Sequence, residues 1–124
     1  MPKKSGNYVD GFVLCVPKRK LQSYRRMATK AGKIWLEHGA LAFRESYGDD
    51  VKIKGVVNFP KMAKAKSGEV VMFSYIVYKS KADRNKVNSK VMKDPRLAKM
   101  MDSKDIPFDV KRMAYGGFKT IVNM

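Results

Sequence analysis

Nine consecutive residues, Val70-Val71-Met72-Phe73-Ser74-Tyr75-Ile76-Val77-Tyr78, read as a strand that is apolar on both sides. Side chains alternate along a strand, so Val71, Phe73, Tyr75 and Val77 point one way and Val70, Met72, Ile76 and Tyr78 the other. A sheet with one wet face carries polar residues at every second position, and this segment does not. Both faces therefore need cover. The helices of a 124-residue chain can cover one face, which leaves the other for a partner.

The length suits one core rather than two. The sequence reads as a basic tail over residues 1–7 followed by a single domain over 8–124. The 44% hydrophobic content is that of a globular chain. No apolar run reaches the roughly 18–20 residues of a membrane span, and the segment after Met1-Pro2-Lys3-Lys4 reads as a strand rather than a signal peptide. A lone Cys15 excludes an internal disulfide framework and fits a reducing, cytoplasmic setting. Its place inside a strand suits a small buried hydrophobe better than a reactive thiol. There is no CxxC and no histidine cluster, so neither a metal nor a cofactor is expected.

The charge is lopsided: 27 Lys+Arg against 11 Asp+Glu, a formal +16. Such a balance invites polyanions. The basic residues nevertheless interleave with apolar stripes on two helical segments, as solvated helix faces do. Arg25, Arg26, Lys30, Arg84 and Lys90 are the candidate contacts for RNA or another polyanion. The run Lys111-Arg112-Met113-Ala114-Tyr115-Gly116-Gly117-Phe118 resembles an RNA-recognition strand only weakly. Its aromatics are three apart instead of two and fall on opposite faces. Nucleic acid is not the favoured partner.

A first strand spans Tyr8 to Val16 and closes at Pro17. Leu21, Tyr24, Ala28, Ala31, Trp35 and His38 recur at helical steps over 18–38, with Gly39 as the C′ residue and Gly32 marking close packing. Ala40 to Tyr47 reads as a second strand. Met62 to Lys66 is expected to pair with the central strand across a Ser67-Gly68 turn. Ser80 and Asp83 resemble a capping box that starts a helix running to Met92, and Asp94-Pro95 restarts a short helix with Leu97, Met100 and Met101. Lys111 to Val122 reads as the last strand, with a bulge or close backbone approach at Gly116-Gly117. Strand, helix, strand, strand, helix, strand is an α+β, ferredoxin-like split βαβ with a four-stranded antiparallel sheet. Right-handed crossovers put both helices on one face. The apolar side chains left on the other predict a homodimer that packs two sheets face to face.

Several of these segments are recognisable together. They are Tyr8-Val9-Asp10-Gly11-Phe12-Val13; Glu37-His38-Gly39-Ala40-Leu41; Phe73 through Ser80; Met92-Lys93-Asp94-Pro95-Arg96; and Pro107 through Phe118. In this order, over nearly the whole chain, they resemble the YbaA-like bacterial family of uncharacterised proteins, the DUF1428 family. The resemblance implies a dimeric α/β barrel. Val110 and Ala114 stand where that family's last motif carries glycine and isoleucine, and residues 51–58 lack acidic residues the family often has. The wider superfamily includes cofactor-free monooxygenases, haem-degrading enzymes and small-molecule sensors, but fold likeness assigns none of these activities.

Candidate chemistry is sparse. A small molecule in a pocket between helices and sheet is the favoured ligand, with Trp35, His38, Glu45, Arg112 and Tyr115 as pocket-lining candidates. His38 is a weak candidate for catalysis, since a helix-end histidine has structural reasons to be there. Trp35 is also a natural core residue. Asp10 and Glu45 sit in apolar strands and require partners, for which Arg112 is expected. No serine triad, phosphate-cradling glycine loop or HExxH is present.

Overall fold

The computed structural model describes residues 6–102 and 106–124, so most of the basic tail lies outside the described residues. Its frame is an antiparallel sheet in the order β2-β3-β1-β4, made of β1 (Tyr8–Pro17), β2 (Ala42–Tyr47), β3 (Glu69–Tyr78) and β4 (Ala114–Lys119). The interior strands β1 and β3 pair along their whole length, from Tyr8 opposite Tyr78 to Pro17 opposite Glu69. Helix α1 (Leu21–Glu37) links β1 to β2, a single turn α2 (Phe59–Met62) lies between β2 and β3, and α3 (Lys81–Met92) and α4 (Pro95–Met101) link β3 to β4. This is the expected ferredoxin-like α+β fold with two short helices added. No helix among the described residues is long and apolar enough to cross a membrane.

Local chemistry sets the element ends. Gly39 takes φ +117°, and its N–H and that of Ala40 return to the carbonyls of Leu36 and Trp35, which terminates α1 in a Schellman motif. Ser80 Oγ accepts the Asp83 N–H at the start of α3, and the Asp94 carboxylate accepts the Arg96 N–H at the start of α4. Gly32 lies against the Phe43 ring, where a Cβ would come within 2.8 Å of it, so α1 sits close on β2 as the sequence predicts.

The even-numbered residues of β1 and β3 face the helices. One buried cluster gathers Tyr8, Ile34, Ile76, Tyr78, Val87, Val91 and Leu97; a second gathers Leu14, Val16, Tyr24, Ala28 and Met72. Phe12 packs against both.

The opposite face differs from expectation at one end. Residues 62–66 form no strand. Asn58 caps α2 by accepting the Lys61 N–H, Pro60 suits a first turn, and the segment folds over the sheet instead of pairing with β3. The Cys15 thiol donates to the Ala63 carbonyl at 3.6 Å, and Phe59 meets Phe73 edge to face at 6.2 Å. Cys15 is therefore covered by the chain's own connection, and Val71, its neighbour across the β1–β3 pair, is buried as well. Even with that partial cover Phe73 remains 51% exposed, and Phe118 is 63% exposed, beside half-buried Val9, Val13, Tyr75 and Val77.

The last strand is shorter than its apolar run. Val110–Arg112 is a 3₁₀ turn capped by Asp109, and pairing begins at Ala114. Gly116 and Gly117 continue in register opposite Gly11 and Asp10 without a bulge. Of the two readings for these glycines, close approach holds. A Cβ on Gly117 would collide with the Tyr8 hydroxyl and come within 2.7 Å of the Arg84 guanidinium.

Candidate functional site

Between α1, α4, the sheet and the loop around Phe108 lies a cavity of about 170 Å³. Phe12, Trp35, Phe43 and Phe108 supply aromatic walls, and Met27, Met100 and Met113 fill between them. Among the described residues of this lining, Glu45 is the one acidic side chain. It stands on β2 directly opposite Ser74 of β3, both facing the helices. Tyr24, one turn into α1, donates to Glu45 Oε1 at 2.7 Å, and Ser74 Oγ donates to the same oxygen in a very close contact. Burial raises the Glu45 carboxyl above its usual range, and the two hydroxyls oppose that rise by stabilising the anion. The Tyr24 phenol is raised too, by burial and then by the neighbouring carboxylate. A tunable carboxyl in an apolar chamber can hold, give or take a proton.

A second polar network lies further along the same face. Asp10, 1% exposed, accepts from Tyr115 at 3.1 Å and from Asn88 Nδ2 at 3.4 Å, and its other oxygen faces Arg84 Nε at 3.5 Å. Arg84 also donates to the Tyr8 hydroxyl at 3.0 Å and lies over that ring. The Asn88 side-chain oxygen takes bonds from Trp35 Nε1 and the Tyr78 hydroxyl at 3.1 and 3.0 Å. Trp35 thus belongs to the cavity wall by its ring and to this network by its nitrogen.

The candidate residues are dispersed accordingly. Trp35 and Glu45 line the cavity. Tyr115 stacks on the cavity residue Phe12 with ring centroids 4.9 Å apart, while its hydroxyl serves Asp10. His38 lies outside the cavity lining and bonds Asp94 at 2.8 Å, tying the end of α1 to the start of α4. Arg96 holds the Asp94 carboxyl well below the usual carboxylate range, with His38 helping. Arg112 partners neither Asp10 nor Glu45. It grips Glu69, because the 3₁₀ turn directs it to the start of β3 rather than along the last strand. Among the polyanion candidates, Arg25, Arg26, Lys30 and Lys90 are exposed, whereas Arg84 turns inward to Asp10. Among the described residues, no group of three or more His, Cys, Asp or Glu could hold a metal.

Sequence reasoning missed Tyr24 and Ser74. A signal existed for the latter: Ser74 is the one small polar side chain at an inward position of a strand whose other inward residues are Val70, Met72, Ile76 and Tyr78, and a buried hydroxyl requires a partner. Tyr24 was visible only as one more member of the apolar stripe.

The solved structures this fold resembles include a proposed antibiotic biosynthesis monooxygenase from Nitrosomonas europaea, at TM-score 0.57 and 10% identity over 98% of this chain and 96% of that one. Another is a NIPSNAP-family protein of unknown function from Agrobacterium tumefaciens, at TM-score 0.56 and 12% identity over 95% and 91%. At such identities the likeness is one of fold. In sequence, the chain is 46% identical over 116 residues to the uncharacterised protein YbaA of Escherichia coli K12, covering 94% of this chain and 97% of that one, and it matches the Shigella flexneri YbaA to the same degree. Residues 7–110 match the profile of the family described as a protein of unknown function, DUF1428, and the chain belongs to that family.

Proposed function

We propose that this protein binds a small, mainly apolar molecule in the chamber between its helices and sheet. The observation that carries the reading is a cavity of about 170 Å³ with aromatic and methionine walls and the Glu45 carboxyl. An apolar cavity of about 150 Å³ accommodates benzene, so the size suits a single ring with a substituent. Natural ligand sites share this design of apolar walls with few polar groups. The monooxygenase named above has a similar fold, which is compatible with a small-molecule role and assigns no reaction. A cytoplasmic location belongs to the same reading, supported by the single buried, unpaired cysteine.

Benzene titration followed by thermal unfolding tests it. The wild type is expected to gain stability at millimolar benzene. Ala31→Leu, which fills the chamber from α1, should remove the gain. A wild-type melting curve indifferent to benzene would sink the proposal.

The uncovered sheet face supports a second element, a homodimer through that face. Phe73 and Phe118 are large apolar groups left exposed beside half-buried valines. A second copy offers the same surface in return, which is the requirement of a two-fold interface.

A further inference from the structure

Glu45 receives both of its internal hydrogen bonds on one oxygen. Tyr24 and Ser74 both donate to Oε1, and no described residue donates to Oε2. The sealed, unpartnered side-chain atoms among the described residues are Asp10 Oδ1 and Arg84 Nε, so Oε2 is not closed off in the same way. Glu45 also marks a boundary. It lines the inner chamber, and together with Tyr24, Ala28 and Phe43 it lines the outer groove between α1 and β2 that runs past Leu36 and Tyr47.

Resting on the small-molecule reading, we infer that Glu45 Oε2 is the recognition point for the hydroxyl of a monocyclic phenol whose ring lies in the chamber, with the hydroxyl at the groove-side mouth. The aromatic walls favour a flat ring, and the methionines add sulfur–ring contacts. The charge of the anchor selects the substituent. At Glu45 itself a ligand carboxylate would meet a like charge, the cations of these linings, Arg25, Lys33 and Arg44, being exposed to water, and an ammonium would bury its own charge against apolar walls. A neutral hydroxyl avoids both costs and gives the carboxylate a charge-assisted hydrogen bond, to which a phenol contributes a stronger donor than an alcohol.

Benzene and phenol, titrated in parallel at neutral pH, separate this inference from its parent. A dry cavity without a hydrogen-bonding point prefers benzene by roughly tenfold or more, since a hydroxyl buried without a partner is penalised. The wild type is expected to bind phenol at least as tightly as benzene, and Glu45→Gln to shift the ratio about tenfold toward benzene. In wild-type protein carrying ¹³C at glutamate carboxyls, phenol and not benzene should move the Glu45 resonance, a readout that does not depend on a variant folding. Benzene bound tightly with phenol excluded, a Glu45 signal indifferent to phenol, or an unchanged ratio in Glu45→Gln would each overturn the assignment while leaving the cavity reading standing. Binding of neither probe would remove both.

Discussion

Arg112 and Glu69 meet through two hydrogen bonds, the guanidinium nitrogens lying 2.9 and 2.8 Å from the two carboxylate oxygens. The same guanidinium donates to the Lys64 carbonyl at 3.0 Å, so one side chain pins the α2 connection onto the start of β3. Beneath that connection lies Cys15, 3% exposed, its thiol pushed up by burial. Arg112→Ala should release the flap and raise the rate of Cys15 modification by a thiol reagent about tenfold, the change expected when a charge-assisted bond closing a local opening is lost. Arg26→Ala, on the exposed face of α1, should leave the rate unchanged. The pair also titrates. Arg112 holds Glu69 down to about 2, below its usual 4.5. A depressed acid contributes stability that is present above 4.5 and is lost as pH falls toward 2. Wild-type thiol reactivity, compared with a free-thiol standard at each pH, should therefore approach that of Arg112→Ala only near the bottom of that window.

Gly117 faces a different constraint. With no Cβ it admits the Tyr8 hydroxyl and the Arg84 guanidinium to the neighbourhood of Asp10. Gly117→Ala is expected to cost about 1–3 kcal/mol through overpacking. Asp10→Ala should cost about 3–5 kcal/mol, because it strands Arg84 without its partner, and Arg84→Met in the same chain should recover part of the loss. Urea unfolding of wild type, Gly117→Ala, Asp10→Ala, Arg84→Met and the Asp10→Ala/Arg84→Met double variant checks both numbers. A fully additive double variant would mean that Asp10 and Arg84 do not interact.

The frame was legible because local signals and the hydrophobic pattern agreed. Pro17, Gly39, Ser80 and Asp94-Pro95 each mark an element end by a mechanism that needs no tertiary context. The α2 segment was not legible, since Met62 and Ala63 look equally suited to a strand, and only the docked Cys15 and Phe73 show what they cover. The ion pairs were harder still. That Asp10 and Glu45 need partners is plain from the sequence, but Arg112 is the wrong one: the 3₁₀ turn takes Arg112 to Glu69, and the α3 register brings Arg84 to Asp10. Tyr24 and Ser74 became site residues only when α1 was laid across β2.

Glu45 gives a pH dependence of the opposite sign. Burial raises its carboxyl above 4.5. Between that value and its folded-state value the folded chain binds more protons than the unfolded one, so this group's contribution falls as pH rises and then levels off. Glu45→Gln carries no such titration. The stability of wild type minus that of Glu45→Gln should therefore decline from about pH 4.5 upward to a plateau, as measured by denaturant midpoints across pH. Tyr24→Phe and Ser74→Ala each remove a donor that favours the anion, so each should move the Glu45 carboxyl higher still in a ¹³C titration. A downward movement in either would show that those hydroxyls do not stabilise the ionised form.

The proposed dimer rests on side chains that the α2 flap leaves uncovered. Phe118 on β4 lies over Gly11, whose missing side chain gives the ring its seat, and it stands opposite Val9 across the β1–β4 pair. Burying a phenylalanine contributes about 1.5–3 kcal/mol, and a two-fold interface counts the change in both copies. Phe118→Asp also sets two carboxylates near each other across the axis or against apolar neighbours, which adds a desolvation cost. The expected result is at least a hundredfold rise in the dimer dissociation constant, read by sedimentation equilibrium, with the fold intact by circular dichroism. Tyr47→Asp, at an exposed residue on the helix-side face of the sheet, serves as the control and should leave the association constant unchanged. If wild-type protein sediments as a monomer at micromolar concentration, the exposed phenylalanines serve something other than a second copy, and the sheet face loses its proposed role.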